Sequence, residues 1–229
     1  MVKELGGNRT DLCSKDLNVV LGEKVKMFES SLVIIESQIV NAIIPNVERK
    51  IKLSGARTPY LKLNMKIQKM SNSQLSRSQP GDFKYRPIQD SVGSLLKPYS
   101  RICMELLRSL NKTVKKKYNS VWKIETINGV EISRRFECLV SEKREHRTIM
   151  STDFDSAYTN VSKDDLIRSV VNLARVVEWE MHLTKLLLKL ISLLLDNNFV
   201  EIGDGIYKLG TQLAMGCSSS GDALDSVAI

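Results

Sequence analysis

Apolar residues recur at helical spacing over four stretches of the chain. The first stretch, residues 17–44, predicts one helix that stops at Pro45. The second, residues 93–114, runs into three consecutive lysines. Ser162 is a typical N-cap for the third helix, since two aspartates follow it where the helix dipole favours negative charge. Residues 182–195 are strongly apolar and predict a buried helix.

Short alternating segments between these helices predict strands. Residues 60–70 alternate apolar and basic side chains, as an exposed strand does. Residues 83–88 predict a second short strand, in which Pro87 confines that part to an edge or an end. Residues 148–153 form a third run that is half apolar.

Turn residues predict two hairpins. Asn128-Gly129 lies between alternating residues, and Gly203-Asp204-Gly205 does the same within residues 199–208. Residues 1–14 are polar, and we expect an irregular lead-in there. Helices and hairpins follow one another along the chain, so the pattern predicts an α+β fold.

The charge is unevenly distributed along the 229 residues, whose net charge is +8. Residues 55–147 hold 20 Lys and Arg against 8 Asp and Glu, whereas residues 148–229 hold 6 against 11. The first 54 residues are close to neutral, with 8 against 7. A basic half of this kind attracts phosphate backbones, although ordinary charge fluctuation in a soluble protein is the alternative.

The four cysteines form no C-x-x-C pair, and the first residues do not resemble a signal peptide. We therefore expect reduced thiols and an intracellular protein of the nucleus or cytoplasm. The most apolar stretch, residues 186–195, contains Lys189 and is far shorter than the ~20 residues that span a bilayer. We expect no membrane association.

Two carboxylates directly follow the half-apolar run at residues 148–153. Asp153 and Asp155 are spaced i, i+2, and Tyr158 comes five residues after the first. Carboxylates at the end of a buried strand are costly without a cationic partner. Mg²⁺ takes one or two protein carboxylates and completes its shell with phosphate oxygens and water, so we predict a divalent metal site. The alternative is that Asp153 only caps the next turn.

Four sequence motifs, in order along residues 58–229, resemble those of the reverse transcriptases. The most similar group is that of the Penelope-like retroelements, relatives of telomerase. Two departures occur: Met65 and Gln68 stand where the family often has Pro and His. The motifs are Met65-Lys66-Ile67-Gln68-Lys69, Arg86-Pro87-Ile88, Asp153-Phe154-Asp155-Ser156-Ala157-Tyr158-Thr159-Asn160 and Ala214-Met215-Gly216-Cys217.

The resemblance implies three segments and a two-metal nucleotidyl transfer. Residues 1–54 would be an N-terminal helical extension, 55–147 a basic fingers region and 148–229 part of the palm. The partners implied are an RNA template, a DNA primer and dNTPs. The cofactor is Mg²⁺ or Mn²⁺, which stabilises the attacking 3′-hydroxyl and the leaving pyrophosphate.

The resemblance also assigns roles near the metals. Asp153 would be the catalytic carboxylate that bridges them, and the main-chain carbonyl of Phe154 would be a further ligand. Asp155 would be peripheral, because many family members have an apolar residue there. Tyr158 would be a steric gate under the incoming sugar that excludes a 2′-hydroxyl; packing between a strand and a helix is the alternative.

Further residues would contact the nucleotide or the template. Arg86, with Lys84 nearby, would reach the triphosphate, because a guanidinium can bond two oxygens at once. Met215 and Gly216 would lie against the nucleotide or a template base. Weaker candidates of the same kind are Lys66 and Lys69, and the run Lys115, Lys116 and Lys117 would contact template backbone. A solvated surface is the alternative for Arg86 and the lysine run.

One motif of the family does not occur in these 229 residues. The second catalytic strand carries an aromatic-x-Asp-Asp sequence, and none is found. We therefore expect the chain to be a fragment that does not polymerise DNA alone. Two alternatives remain open: a domesticated or decayed remnant that binds RNA or protein without catalysis, and a generic α+β module in which the motifs are coincidental.

Overall fold

The computed structural model describes residues 7–44, 55–65, 85–118, 160–210, 213 and 217–228. These residues form six helices and five strands, which confirms the α+β class. The elements are β1 (Asn8–Arg9), α1 (Ser14–Ser30), α2 (Ile34–Ile43), β2 (Tyr60–Met65), β3 (Tyr85–Asp90), α3 (Lys97–Tyr118), α4 (Lys163–Val176), α5 (Met181–Asp196), β4 (Phe199–Ile202), β5 (Gly205–Lys208) and α6 (Ser220–Ala228).

The main core forms where α3 packs against α5 and α6. Leu107 and Leu110 of α3 and Leu186, Leu187 and Leu190 of α5 are fully buried. Full burial of one such side chain stabilises a fold by about 1.5–3 kcal/mol. Helix α4 closes the same core by packing on α5 and α6. The helical half of the protein therefore owes its stability to one continuous apolar cluster.

The five strands form a single mixed sheet in the order β1-β5-β4-β2-β3. Strands β4 and β5 make an antiparallel hairpin, whose turn places Gly203 at a φ of +57°, a conformation that favours glycine. Strand β2 runs parallel to β4 through one register pair, Tyr60 with Glu201, and antiparallel to β3. The sheet thus joins two hairpins that are distant in sequence.

One face of the sheet is covered by α1. Leu17 and Leu21 of the helix meet Phe199 of β4 and Ile206 of β5 in a second, smaller apolar cluster. All four side chains are buried. Strand β1 precedes α1 and pairs with β5, so the expectation that residues 1–14 lack regular structure is wrong at Asn8–Arg9.

The predicted helix over residues 17–44 is in fact two helices. The chain turns between Ser30 and Ile34, where Ser31 donates its hydroxyl to the carbonyl of Phe28. The second helix then starts at Ile34, and Glu36 in its first turn accepts a hydrogen bond from the amide of Val33. Apolar spacing continues through the turn, so periodicity alone did not reveal it.

A buried ion pair holds α2 against α5. The Nζ atom of Lys189 lies 2.7 Å from Oε2 of Glu36 and donates to the carbonyl of Ser31 at 2.8 Å. Glu36 is 1% exposed. One lysine therefore satisfies both the carboxylate and the carbonyl at the turn between α1 and α2.

Several local predictions are confirmed. Pro87 lies in β3, which is the edge strand of the sheet among the described residues. Ser162 caps α4 by accepting a hydrogen bond from the amide of Asp165. The apolar helix at 182–195 and the hairpin at 199–208 are α5 and β4–β5.

Other predictions lie partly or wholly outside the described residues. These are the strand continuation at 66–70, the hairpin at 121–132 and the strand at 148–153. The three-segment division stays a prediction. None of the helices in the described part of the chain has the length and apolar character needed to cross a membrane.

We predict that Lys189→Met destabilises the protein by about 3 kcal/mol, because it leaves the Glu36 carboxylate buried without its cation. Urea unfolding followed by circular dichroism measures the change. Replacing both partners, Glu36→Met with Lys189→Met, should recover most of the loss, since it removes the buried charge as well.

Lys185 provides the matched control, because it lies one turn earlier on α5 and is exposed. Lys185→Met should change the free energy of unfolding by no more than about 0.5 kcal/mol. An unfolding midpoint for Lys189→Met equal to that of the parent would show that the pair does not hold α2 in place.

Candidate functional site

Most of the predicted site residues lie outside the described residues. Arg86 is in β3, where its backbone pairs with Asn64 of β2. The three lysines of the run at 115–117 form the last turn of α3. The residues outside are Lys66, Lys69, Lys84, Asp153, Phe154, Asp155, Tyr158, Met215 and Gly216.

A cavity of about 50 Å³ lies where the sheet, α3 and the segment before α6 meet. Gln89 of β3 and Phe199 of β4 line one side. Leu213 and Cys217, which flank the predicted Ala-Met-Gly segment, line another. The two ends of that segment therefore line the same cavity as Gln89, on the strand that carries Arg86.

A hydrogen-bonded group of hydroxyls and a thiol fixes the chain after Gly216. Ser100 Oγ of α3 lies 3.0 Å from Cys217 Sγ and 3.3 Å from Ser219 Oγ. The backbone amide of Ala223 then donates to the carbonyl of Ser219 at the start of α6. The segment that enters α6 is thus held to α3 at its C-terminal end.

Gln89 connects the two hairpins of the sheet. Its Nε2 atom donates to the carbonyl of Phe199 at 3.0 Å, in a buried position. This bond spans β2, the strand between β3 and β4. A buried side-chain amide that bonds across a sheet in this way limits sliding of β3 relative to β4. It therefore fixes the position of Arg86 along the strand direction relative to β4.

Cys103 lies behind this group, in the apolar core. The side chain is buried, and burial raises the pKa of its thiol above the ordinary range. It behaves as a small apolar residue of the α3 core.

An ion pair between Lys62 and Asp90 joins β2 to β3 at the end of the hairpin that also carries Gln89. The Lys62 ammonium, and then the backbone amide of Val92, lower the pKa of Asp90 from 3.8 to about 2. The same pair raises the pKa of Lys62. A cross-strand pair of opposite charges favours the observed register of β2 and β3.

The lysine run at the end of α3 is not uniform. Lys116 and Lys117 are exposed and Lys115 is half-buried. Lys117 donates to the carbonyl of Val176 at 2.6 Å and so satisfies the C-terminus of α4. Lys117 therefore has a structural role that the sequence did not indicate.

The chain that follows the predicted carboxylates is firmly anchored. Val161 is buried, and the next residue caps α4 with Oγ in a hydrogen bond to Asp165. The Ser162 hydroxyl and amide lower the pKa of Asp165. Within the described ranges, no three His, Cys, Asp or Glu side chains lie close enough to hold a metal ion.

Sequence reasoning missed two residues next to the Ala-Met-Gly segment. These are Ser100, which contacts Cys217, and Gln89, which lines the same cavity as Leu213 and Cys217. Ser100 and Cys103 lie three residues apart on the buried face of α3, which is a helical signal. That spacing predicts that both side chains are buried, but it does not predict which residues they contact.

A scan of protein-family models, and searches of curated proteins and of solved structures, found no match to this chain.

We predict that Lys62→Gln raises the pKa of Asp90 from about 2 toward 3.8, because it removes the first cause of the shift. Carboxyl chemical shifts followed by NMR from pH 1.5 to 6 measure this. In the parent protein, the folded-state pKa lies below the ordinary value. Ionised Asp90 therefore stabilises the fold above about pH 4, and this contribution is lost as the pH falls through about 2.

Proposed function

We propose that this chain is the fingers and part of the palm of an RNA-directed DNA polymerase of the reverse transcriptase kind, most similar to the Penelope-like group. Its reaction would be transfer of a dNTP to a primer 3′-hydroxyl opposite an RNA template. The alternative is a remnant that binds RNA or protein without catalysis.

The first support for the proposal is the order of the four sequence motifs. Each motif is short and weak alone, but all four occur in the family's order. The residues proposed to bind phosphate, including Arg86, lie in residues 55–147, which hold 20 basic against 8 acidic residues. The carboxylates, including Asp153, fall in the acidic segment that follows. A polymerase needs both a cationic surface for phosphates and carboxylates for cations.

The observation that carries the proposal is a cavity lined by residues at or next to two of these motifs. Gln89, which directly follows Arg86-Pro87-Ile88, lines it together with Leu213 and Cys217. A nucleotide can contact the Arg86 strand and the Ala-Met-Gly segment together only if they are neighbours. The common cavity supports this requirement, although the two motifs are far apart in sequence.

The proposed roles of the site residues are those that the resemblance to reverse transcriptases implies. Asp153 would bind a divalent cation, which supplies charge stabilisation to the reacting phosphate. Arg86 would bind the triphosphate, and Tyr158 would exclude a 2′-hydroxyl. Lysine and arginine outside the site would hold the template backbone without reading its sequence.

We predict that the 229-residue chain does not extend an oligo(dT) primer on poly(rA) with Mg²⁺ or Mn²⁺. The reason is that no aromatic-x-Asp-Asp sequence accompanies Asp153, and two cations need several negative ligands. A longer reading frame that contains such a sequence should extend the primer, and Asp153→Ala should abolish the extension.

Asp164→Ala is the matched control, since this carboxylate lies exposed in the first turn of α4. It should leave extension unchanged. Extension by the 229-residue chain would contradict the inactivity prediction. If the longer chain is folded and still fails to extend, the non-catalytic alternative is the better description.

In the extending version, we predict that Tyr158→Ala weakens the preference for dNTP over rNTP by about tenfold or more. The loss of the ring removes the steric barrier, and tenfold corresponds to about 1.4 kcal/mol of discrimination. The ratio of kcat/KM values for dTTP and UTP measures it. Tyr158→Phe keeps the ring and should keep the preference; equal ratios in the parent and Tyr158→Ala would rule out the gate.

A further inference from the structure

Helix α3 has two chemically distinct faces. Its buried face is apolar, whereas the helix as a whole contains seven Lys and Arg and a single carboxylate, Glu105. Exposed residues recur every three or four positions along the other face. We call this face the α3 stripe; its charged members are Arg101, Glu105, Arg108, Lys112 and Lys116.

Part of this charge is neutralised within the protein. Arg108 Nε donates to both oxygens of Asp222 at 3.1 and 3.2 Å, and Arg108 also approaches Glu105 at 3.7 Å. Over the described ranges, no carboxylate forms an ion pair with Lys112, Lys115 or Lys116. The surplus positive charge is thus concentrated in the C-terminal half of the helix.

The α3 stripe starts at Arg101, one residue after Ser100, which contacts Cys217 from the buried face of the helix. From Arg101 to Lys116 the helix rises about 22 Å, at ~1.5 Å per residue. A strand of duplex nucleic acid places roughly one phosphate per ~3.4 Å, so this length matches about six phosphates.

The composition of the stripe distinguishes between polyanions. Helices that bind lipid surfaces insert large apolar side chains. The exposed large apolar residues of the described chain include none from α3. A phosphodiester backbone needs only cations at the right spacing, which Lys112 and Lys116 provide.

We propose that Lys112 and Lys116 bind the phosphate backbone of a nucleic-acid strand that extends from the candidate nucleotide site. This inference rests on the proposed function for the identity of the polyanion. The contact is independent of base sequence, since it involves phosphates alone. It adds Lys112 to the interface and removes Lys117, whose ammonium is bound to Val176.

The test is binding of a fluorescein-labelled 20-base-pair RNA–DNA hybrid, measured by anisotropy from 50 to 200 mM salt. The variant is Lys112→Gln with Lys116→Gln in the 229-residue chain. Loss of two phosphate contacts should reduce the slope of log Kobs against log salt by about 1.8. The affinity at 0.1 M salt should fall by tens of fold, at about eightfold per contact.

The matched control is Lys26→Gln with Lys185→Gln, which changes the net charge equally at exposed positions on α1 and α5. Its affinity should stay within about twofold of the parent, and unfolding midpoints of both variants should match the parent. An unchanged slope in the Lys112/Lys116 variant would overturn the proposal. So would an equal loss in both variants, because bulk charge would then explain binding.

Two further arms separate the explanations. Parent protein that binds phosphatidylserine vesicles but not the hybrid would overturn the proposal in favour of a lipid surface. If the α3 variant loses binding while the longer chain never extends a primer, the phosphate-binding proposal stands and the polymerase proposal fails. If the longer chain extends a primer while the α3 variant binds the hybrid like the parent, the polymerase proposal stands and the phosphate-binding proposal fails.

Discussion

The structure depends on covering the apolar face of α3. This helix is amphipathic over 22 residues, and its buried side chains are matched by the leucines of α5 and by α6. Docking α6 on α3 brings Cys217 and Ser219 to Ser100, since the chain enters α6 at that point. The same docking leaves the cationic face of α3 outward. Hydrophobic burial thus sets both the position of the candidate site and the direction of its basic surface.

Local features of the fold followed from the sequence because their causes are local. Pro87 lacks an amide hydrogen and lies in an outermost strand of the described sheet, and Ser162 caps α4 through its own hydroxyl. The break after Ser30 could not be predicted in this way. Its carbonyl at Ser31 is satisfied by Lys189, 158 residues later in the chain. Such a contact has no signature in a window of neighbouring residues.

The candidate site likewise combines features that the sequence predicted with features that it did not. The sequence supplied residue types with suitable chemistry, including the carboxylate of Asp153 and the guanidinium of Arg86. It did not supply Gln89, whose bond to the carbonyl of Phe199 depends on how two separate hairpins join. Nor did the sequence distinguish the structural role of Lys117, which caps α4, from that of its neighbour Lys116. The chemical type of each side chain is known from the sequence, whereas its contact partner is determined by packing.

The two outermost strands of the described sheet differ in how they could pair with a further strand. At one end, the two-residue β1 covers only a short part of β5. At the other end of the described sheet, β3 contains Pro87, which offers no donor to an incoming strand. A second molecule that added a strand along this side of β3 would leave one of its own carbonyls unpaired. Pro87 therefore disfavours edge-to-edge stacking through the strand that carries Arg86.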